Sequence, residues 1–318
     1  MAERGKYILK AAKWVMRAIT VVVAAVVLCV IVAAAVLGRQ ARISIRKEKN
    51  NNVKSAYTEY VETVNDVFGD IEVKAAPDMD IVLNTSDDGR CTVSYYNSDS
   101  VVHFVRVVDG VLSISCVDDR LFGSDLGFGD DPYITISLPK ARYGSVSIET
   151  ETGNVSSSAQ FECSRFDVHQ KSGDTFLSGM TGNNINIRTS SGDVTIATVR
   201  TDVMKVAGKS GDFTIMNVDA GSIFASSGDG ALTGYNITSG GSALFESDGG
   251  DISVEESDAP LLDFESQKGD IMITLLTEKI FKVESANGEI SIPGSSLATN
   301  QQCTATSGSG NIDIKYAN

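Results

Sequence analysis

The chain has 318 residues with 27 Lys+Arg, 41 Asp+Glu and a formal charge of -14, and only 7% of it is aromatic. The charge is split, because residues 1–54 hold 11 of the basic residues against Glu3 and Glu48 and so carry +9, while the rest carries -23. An acidic body without clustered cations excludes nucleic-acid binding, whereas a basic head on it suits a membrane anchor bearing an exported domain.

Residues 1–17 form a short basic tail with Arg4, Lys6, Lys10, Lys13 and Arg17. Ala18 to Gly38 then runs for 21 residues without a charge. A helix of that length spans the roughly 30 Å of a bilayer core, so a single transmembrane helix is expected over 18–38. The alternative is a cleaved signal peptide, for which Ala33-Ala34-Ala35 offers a weak site. Basic residues flank both sides, and it is the acidic, β-rich cargo that places the N-terminus in the cytoplasm and the body outside the cell membrane. Trp14, the one tryptophan, suits the membrane boundary. Residues 39–55, with Asn50-Asn51-Asn52, read as a polar linker.

Residues 56–139 read as an N-terminal β-strand section with period-two alternation. Phe104 to Val108 and Val111 to Ile114 flank Asp109-Gly110, the signature of a tight hairpin. Residues 118–132 interrupt the pattern with acids, glycines, Phe122 and Phe128, and are expected to form a surface loop; their acids lack the spacing of a helix–loop–helix calcium site. Cys91, Cys116, Cys163 and Cys303 match no metal-binding spacing and read as small buried hydrophobes, with disulfides as the alternative.

A repeat takes over in residues 140–318. Glycines 153, 173, 192, 211, 228, 250, 269, 288 and 310 recur at intervals of 17 to 22 residues, each followed by Asp, Asn or Glu. Mostly apolar residues sit two and four positions after the glycines, as Val194/Ile196 and Ile271/Ile273, with Ser157 and Thr175 as polar exceptions, and seven and five before them, as Ile185/Ile187 and Leu262/Phe264. One such strand pair cannot bury its apolar face alone, but stacked copies can. The expected fold is all-β: a β-solenoid of about 20-residue coils, rising roughly 4.8 Å per coil, with Gly at the tight corner for its access to positive φ. Two of the glycines, 221 and 230, fall where the pattern asks for apolar residues. The last strand, Ile312 to Tyr316, is expected to lack a covering coil and to be an edge for self-association.

Stacked corners align Asp174, Asp193, Asp212, Asp229, Asp251, Asp270 and Glu289. Like charges about 5 Å apart repel, so either each caps its own turn or calcium bridges neighbours. The nonapeptide spacing of calcium-binding solenoids is absent, and turn capping is the reading taken. His103 and His169, the two histidines, read as outward or edge strand residues. No convergent acid pair or aromatic cleft suggests catalysis, so no catalytic, cofactor-binding or metal residue is assigned; a carbohydrate-active β-helix enzyme is the alternative class.

Ile134-Thr135-Ile136-Ser137-Leu138-Pro139, Val146-Ser147-Ile148-Glu149-Thr150, Thr152-Gly153-Asn154-Val155 and the repeated Ser-Gly-Asp-Val-x-Ile together resemble the putative-adhesin family of bacterial β-strand-repeat (LiaG-like) envelope proteins. The resemblance covers roughly 60–318. It implies a non-enzymatic envelope protein with an N-terminal anchor and an envelope protein or polysaccharide as partner, and it brings no catalytic residues. A further role it implies is that of accessory to an envelope-stress regulatory system.

Overall fold

The computed structural model describes residues 57–119 and 133–317. The expected basic tail, membrane helix and linker, and nearly all of the acidic loop, lie outside the described residues.

Strict alternation sets the burial of each strand. In β2 (Asp70–Lys74) and β3 (Asp80–Thr85), Ile71, Val73, Ile81 and Leu83 point inward and their neighbours outward. β4 (Cys91–Asn97), β5 (Val101–Val108), β6 (Val111–Asp118) and β7 (Tyr133–Leu138) follow the same rule. β5 and β6 form the expected hairpin, with Asp109 at φ 50° and Gly110 at φ 78°. Both central residues have positive φ, which matches the twist of the paired strands.

From β8 (Arg142–Thr150) onward every coil has two strands joined by a glycine corner. The first pairs are β8 with β9 (Val155–Ser157), and β10 (Glu162–Gln170) with β11 (Thr175–Ser178). β12 (Thr181–Thr189) leads into β13 (Val194–Gly208), β14 (Phe213–Ser227) and β15 (Leu232–Ser247), each of which ends one coil and begins the next. β16 (Ile252–Ser257), β17 (Leu261–Ser266) and β18 (Ile271–Leu275) continue the stack.

Parallel pairing puts one inward residue of each coil over the next. Val146, Phe166, Ile185, Met204, Ile223, Ala243 and Leu262 make one column. Val155, Thr175, Val194, Phe213, Leu232, Ile252 and Ile271 make the other. All of these are buried, so the stack has one continuous core, as a solenoid requires. The N-terminal section adds to it: β2 pairs with β8 and β6, and β3 with β9 and β7, all in parallel. The boundary expected at 139 thus marks a change in strand order while the core runs through it. Antiparallel β4 and β5 finish that end, and β1 (Thr58–Val64), exposed along most of its length, lies antiparallel on β4.

Two expectations need correction. The fifth corner glycine is Gly230, because Leu232, two residues later, is 1% exposed and Gly230 stacks on Gly211. Gly228 packs instead on Lys209. With Gly230 in place the intervals of 17 and 22 become 19 and 20.

The second correction concerns the far end. β19 (Ile280–Ser285) and β20 (Ile290–Ser291) do not follow β17 and β18 in space. β21 (Gln302–Ser307) lies between β17 and β19, and β22 (Ile312–Tyr316) between β18 and β20. The last strand therefore has partners on both sides, and the open end is β19–β20. Packing gives a reason: the Phe264 ring already stacks on Phe245 at 5.5 Å, and its next neighbour is the small Ala305.

Candidate functional site

The glycine corners are the most repeated feature, and their geometry defines a spine. A Cβ on Gly192 would lie 2.1 Å from the Gly173 carbonyl oxygen, and one on Gly211 2.2 Å from that of Gly192. The column continues through Gly230, Gly250, Gly269, Gly310 and Gly288, in that order. Backbone passes over backbone at a distance that only Gly allows.

The residue after each glycine does something other than cap its own turn. Its side chain accepts the backbone N–H of the equivalent residue one coil along. Asp80 takes Asn154 at 2.7 Å, Asn154 takes Asp174 at 2.7 Å, and Asp174 takes Asp193 at 2.9 Å. Asp193 takes Asp212 at 2.9 Å, and Asp212 takes Ala231 at 2.8 Å. After the gap at Ala231 the ladder resumes from Asp251 to Asp270 at 2.8 Å, Asn311 at 2.7 Å and Glu289 at 2.9 Å. The structure thus brings together six of the seven acids expected to align, leaves out Asp229, and adds Asp80, Asn154 and Asn311. Hydrogen bonds from N–H donors to carboxylates are the stronger kind, which offsets part of the like-charge repulsion.

A second ladder was not anticipated. Ser227, Ser247, Ser266, Ser307 and Ser285 each stand three residues before a corner glycine. Each hydroxyl accepts that glycine's N–H at 2.8–3.0 Å and donates to the carbonyl of the preceding corner at 2.9–3.2 Å. The signal was present in the recurring Ser-x-x-Gly spacing, hidden by the more conspicuous Ser-Gly-Asp.

The opposite corner turns on one left-handed residue per coil: Gly179, Thr198, Asn217, Asn236 and Glu256, with φ between 48° and 76°. Asn236 donates its amide to Asn217 at 2.8 Å. A β-branched residue is poorly suited to this conformation. Thr198→Asn is therefore expected to raise stability by about 1 kcal/mol, measured as a higher urea midpoint at unchanged slope.

Titratable groups are scattered. His103 is 3% exposed, contrary to its expected outward placement, and its Nδ1 lies 3.1 Å from both the Tyr96 carbonyl and Asn97 Oδ1. His169 is exposed, as expected. Cys91, Cys163 and Cys303 are buried free thiols, and burial pushes them up to about 11, 12 and 12 respectively. A protonated, enclosed thiol is a poor nucleophile. At the β1 end Tyr60 stacks on Tyr95 at 5.7 Å, and Tyr95 donates to Glu62; burial, then that hydrogen bond, raises the Tyr95 hydroxyl above its usual range. A shallow cleft of about 1020 Å³ is lined by Thr85, Asp87, Lys140 and Gln160 among others. Among the described residues no cluster of three or more His, Cys, Asp or Glu could hold a metal.

Among the described residues one charge is fully enclosed. The Lys279 side chain has no exposure; its ammonium reaches Asp258 and Gln301, the Ala259 carbonyl at 2.9 Å and the Thr277 hydroxyl at 2.8 Å. Thr277 lies on the chain leaving β18 and Gln301 on the chain arriving at β21, while Asp258 and Ala259 lie on the turn between β16 and β17, so Lys279 ties both ends of the crossover that sets the coil order to the preceding turn.

Ladders, columns and crossover together define a parallel β-solenoid stabilised along its length by inter-coil hydrogen bonds. A family model described as Toastrack DUF4097 matches residues 68–240 and 217–318, and the chain belongs to that family. Similar solved structures include a putative adhesin from Bacteroides fragilis, at 17% identity and TM-score 0.49, covering 83% of this chain and 98% of that one. Another is a putative adhesin from Parabacteroides merdae, at 12% identity and TM-score 0.48 over 83% and 98%. A putative lipid binding protein from Parabacteroides distasonis is similar at 13% identity and TM-score 0.40 over 82% and 97%. No curated protein matches the chain.

Proposed function

We propose that this chain is a non-enzymatic, membrane-anchored scaffold that carries its acidic β-solenoid outside the cell membrane for contact with an envelope protein or polysaccharide. The observation that carries the reading is the use of the repeated acids. Those that repetition aligns are engaged with backbone N–H groups of the next coil, which is a structural use. The 21-residue uncharged run behind a basic tail supplies the anchor, and a body carrying -23 suits the outer face.

Protease treatment of intact cells making the full chain tests orientation and anchoring together. The expected result is loss of the solenoid with retention of a short membrane-bound N-terminal fragment. A body protected until the cells are lysed reverses the orientation, and a body released without protease removes the anchor.

A further inference from the structure

Gly269 and Gly310 are 41 residues apart, about twice the usual interval. They are nevertheless direct neighbours: a Cβ on Gly310 would lie 2.0 Å from the Gly269 carbonyl oxygen. Asn311 donates its N–H to Asp270 and Ser307 its hydroxyl to Gly269. Both ladders therefore pass from β18 to β22 without using residues 280–301. Those residues form an extra outermost coil with a neighbour on one side only. Its inward Phe281 and Val283 are half-buried, and Ile290 and Ile292 are exposed.

We infer that residues 280–301 are a tethered cap on a solenoid whose structural end is β21–β22, and that the cap opens as a unit and, when closed, keeps that end from pairing with a second copy of this chain. The Ile312 N–H donates to the Glu289 carbonyl. By strand alternation the backbone groups of Ile312, Ile314 and Tyr316 all face the cap side. On β22 the cap pairs only with Ile312 and Asp313, while its β19 pairs with the whole of β21. Antiparallel pairing of two copies about Ile314 would use the whole of β22 and set Asp313 of each copy opposite Lys315 of the other. In the closed state these two side chains pair within the strand. Opposite charges directly across an antiparallel pair favour that register, which makes a second copy the occupant that the edge fits.

Hydrogen exchange on the full chain tests the opening. Amides of 280–292 are expected to exchange together, about 100-fold faster than those of 302–316, although the latter lie nearer the C-terminus. Equal protection, or earlier exchange of 302–316, overturns the cap. Deleting 280–301 from the full chain joins Lys279 to Gln302 and restores a 19-residue interval between Gly269 and Gly310. That variant is expected to fold and to show a concentration-dependent dimer mass absent from the parent under the same conditions. Lys315→Asp should abolish the dimer, and adding Asp313→Lys should restore it. A folded variant no more associated than the parent overturns the second copy as occupant. Failure to fold overturns the claim that the solenoid is complete without the cap.

Discussion

Gly192→Ala is expected to destabilise the solenoid by about 3 kcal/mol or more, from two independent costs at one position. Gly192 sits at φ 123°, a region that L side chains rarely enter, at a cost of about 1–3 kcal/mol. The new methyl would also lie 2.1 Å from the Gly173 carbonyl oxygen, 2.7 Å from its carbonyl carbon and 3.1 Å from its nitrogen. Those atoms are backbone of the neighbouring corner, itself stacked on Gly153, so a shift at one level passes to the next. Gly294→Ala is the control, since a Cβ there meets nothing within 4 Å, and its effect should stay within about 0.5 kcal/mol. Urea unfolding followed by circular dichroism compares the two. Similar midpoints for Gly192→Ala and Gly294→Ala would show that the corner column tolerates separation.

The same column shows what could be read from the chain without its structure. The period, the alternating faces and the Asp109-Gly110 hairpin were legible because each rests on local chemistry: inward residues two apart, and a turn that needs positive φ. Ser226-Ser227-Gly228-Asp229-Gly230 defeated the corner assignment because it offers two glycines, and the one followed by Asp copies the motif. Burial of Leu232 decides for Gly230, and the odd intervals of 17 and 22 were the visible sign. The ladder partners Asn154 and Asn311 were legible in principle, since a carboxamide oxygen accepts an N–H as a carboxylate does. Coil order was not legible. The spacing from Gly269 to Gly288 is an ordinary 19 residues, so nothing local tells β19 to stay outside β21. Packing beside Phe264 supports the observed order, as does the neutral Asn311 standing between Asp270 and Glu289. Both are properties of neighbours distant in sequence. His103 was misplaced for a different, local reason: its cover comes from the Tyr95–Asn97 segment of β4, only six to eight residues back along the chain.

Lys279 makes that long-range choice testable. Lys279→Met keeps most of the aliphatic stem and removes the ammonium, leaving Asp258, Gln301, Thr277 and the Ala259 carbonyl without their shared donor. Breaking an enclosed ion pair by removing one partner costs about 3–5 kcal/mol, and the Met variant is expected at the lower end because it leaves little cavity. Lys279→Ala adds the lost packing and should cost about 1 kcal/mol or more beyond Met. Asp258→Asn combined with Lys279→Met should recover part of the loss, because a carboxamide no longer needs a counter-charge and Asp258 retains 20% side-chain exposure to water. Solenoid coils interact mainly with their immediate neighbours, so the damage should be local. Hydrogen exchange in the Met variant should accelerate over 276–301, while the coil corners around Gly192 and Gly211 keep their protection. Uniform acceleration along the stack would mean that the crossover is part of one cooperative unit and that Lys279 holds the whole solenoid together. Loss confined to 276–301 would mean that it fastens the outermost coil to a stack that is stable without it.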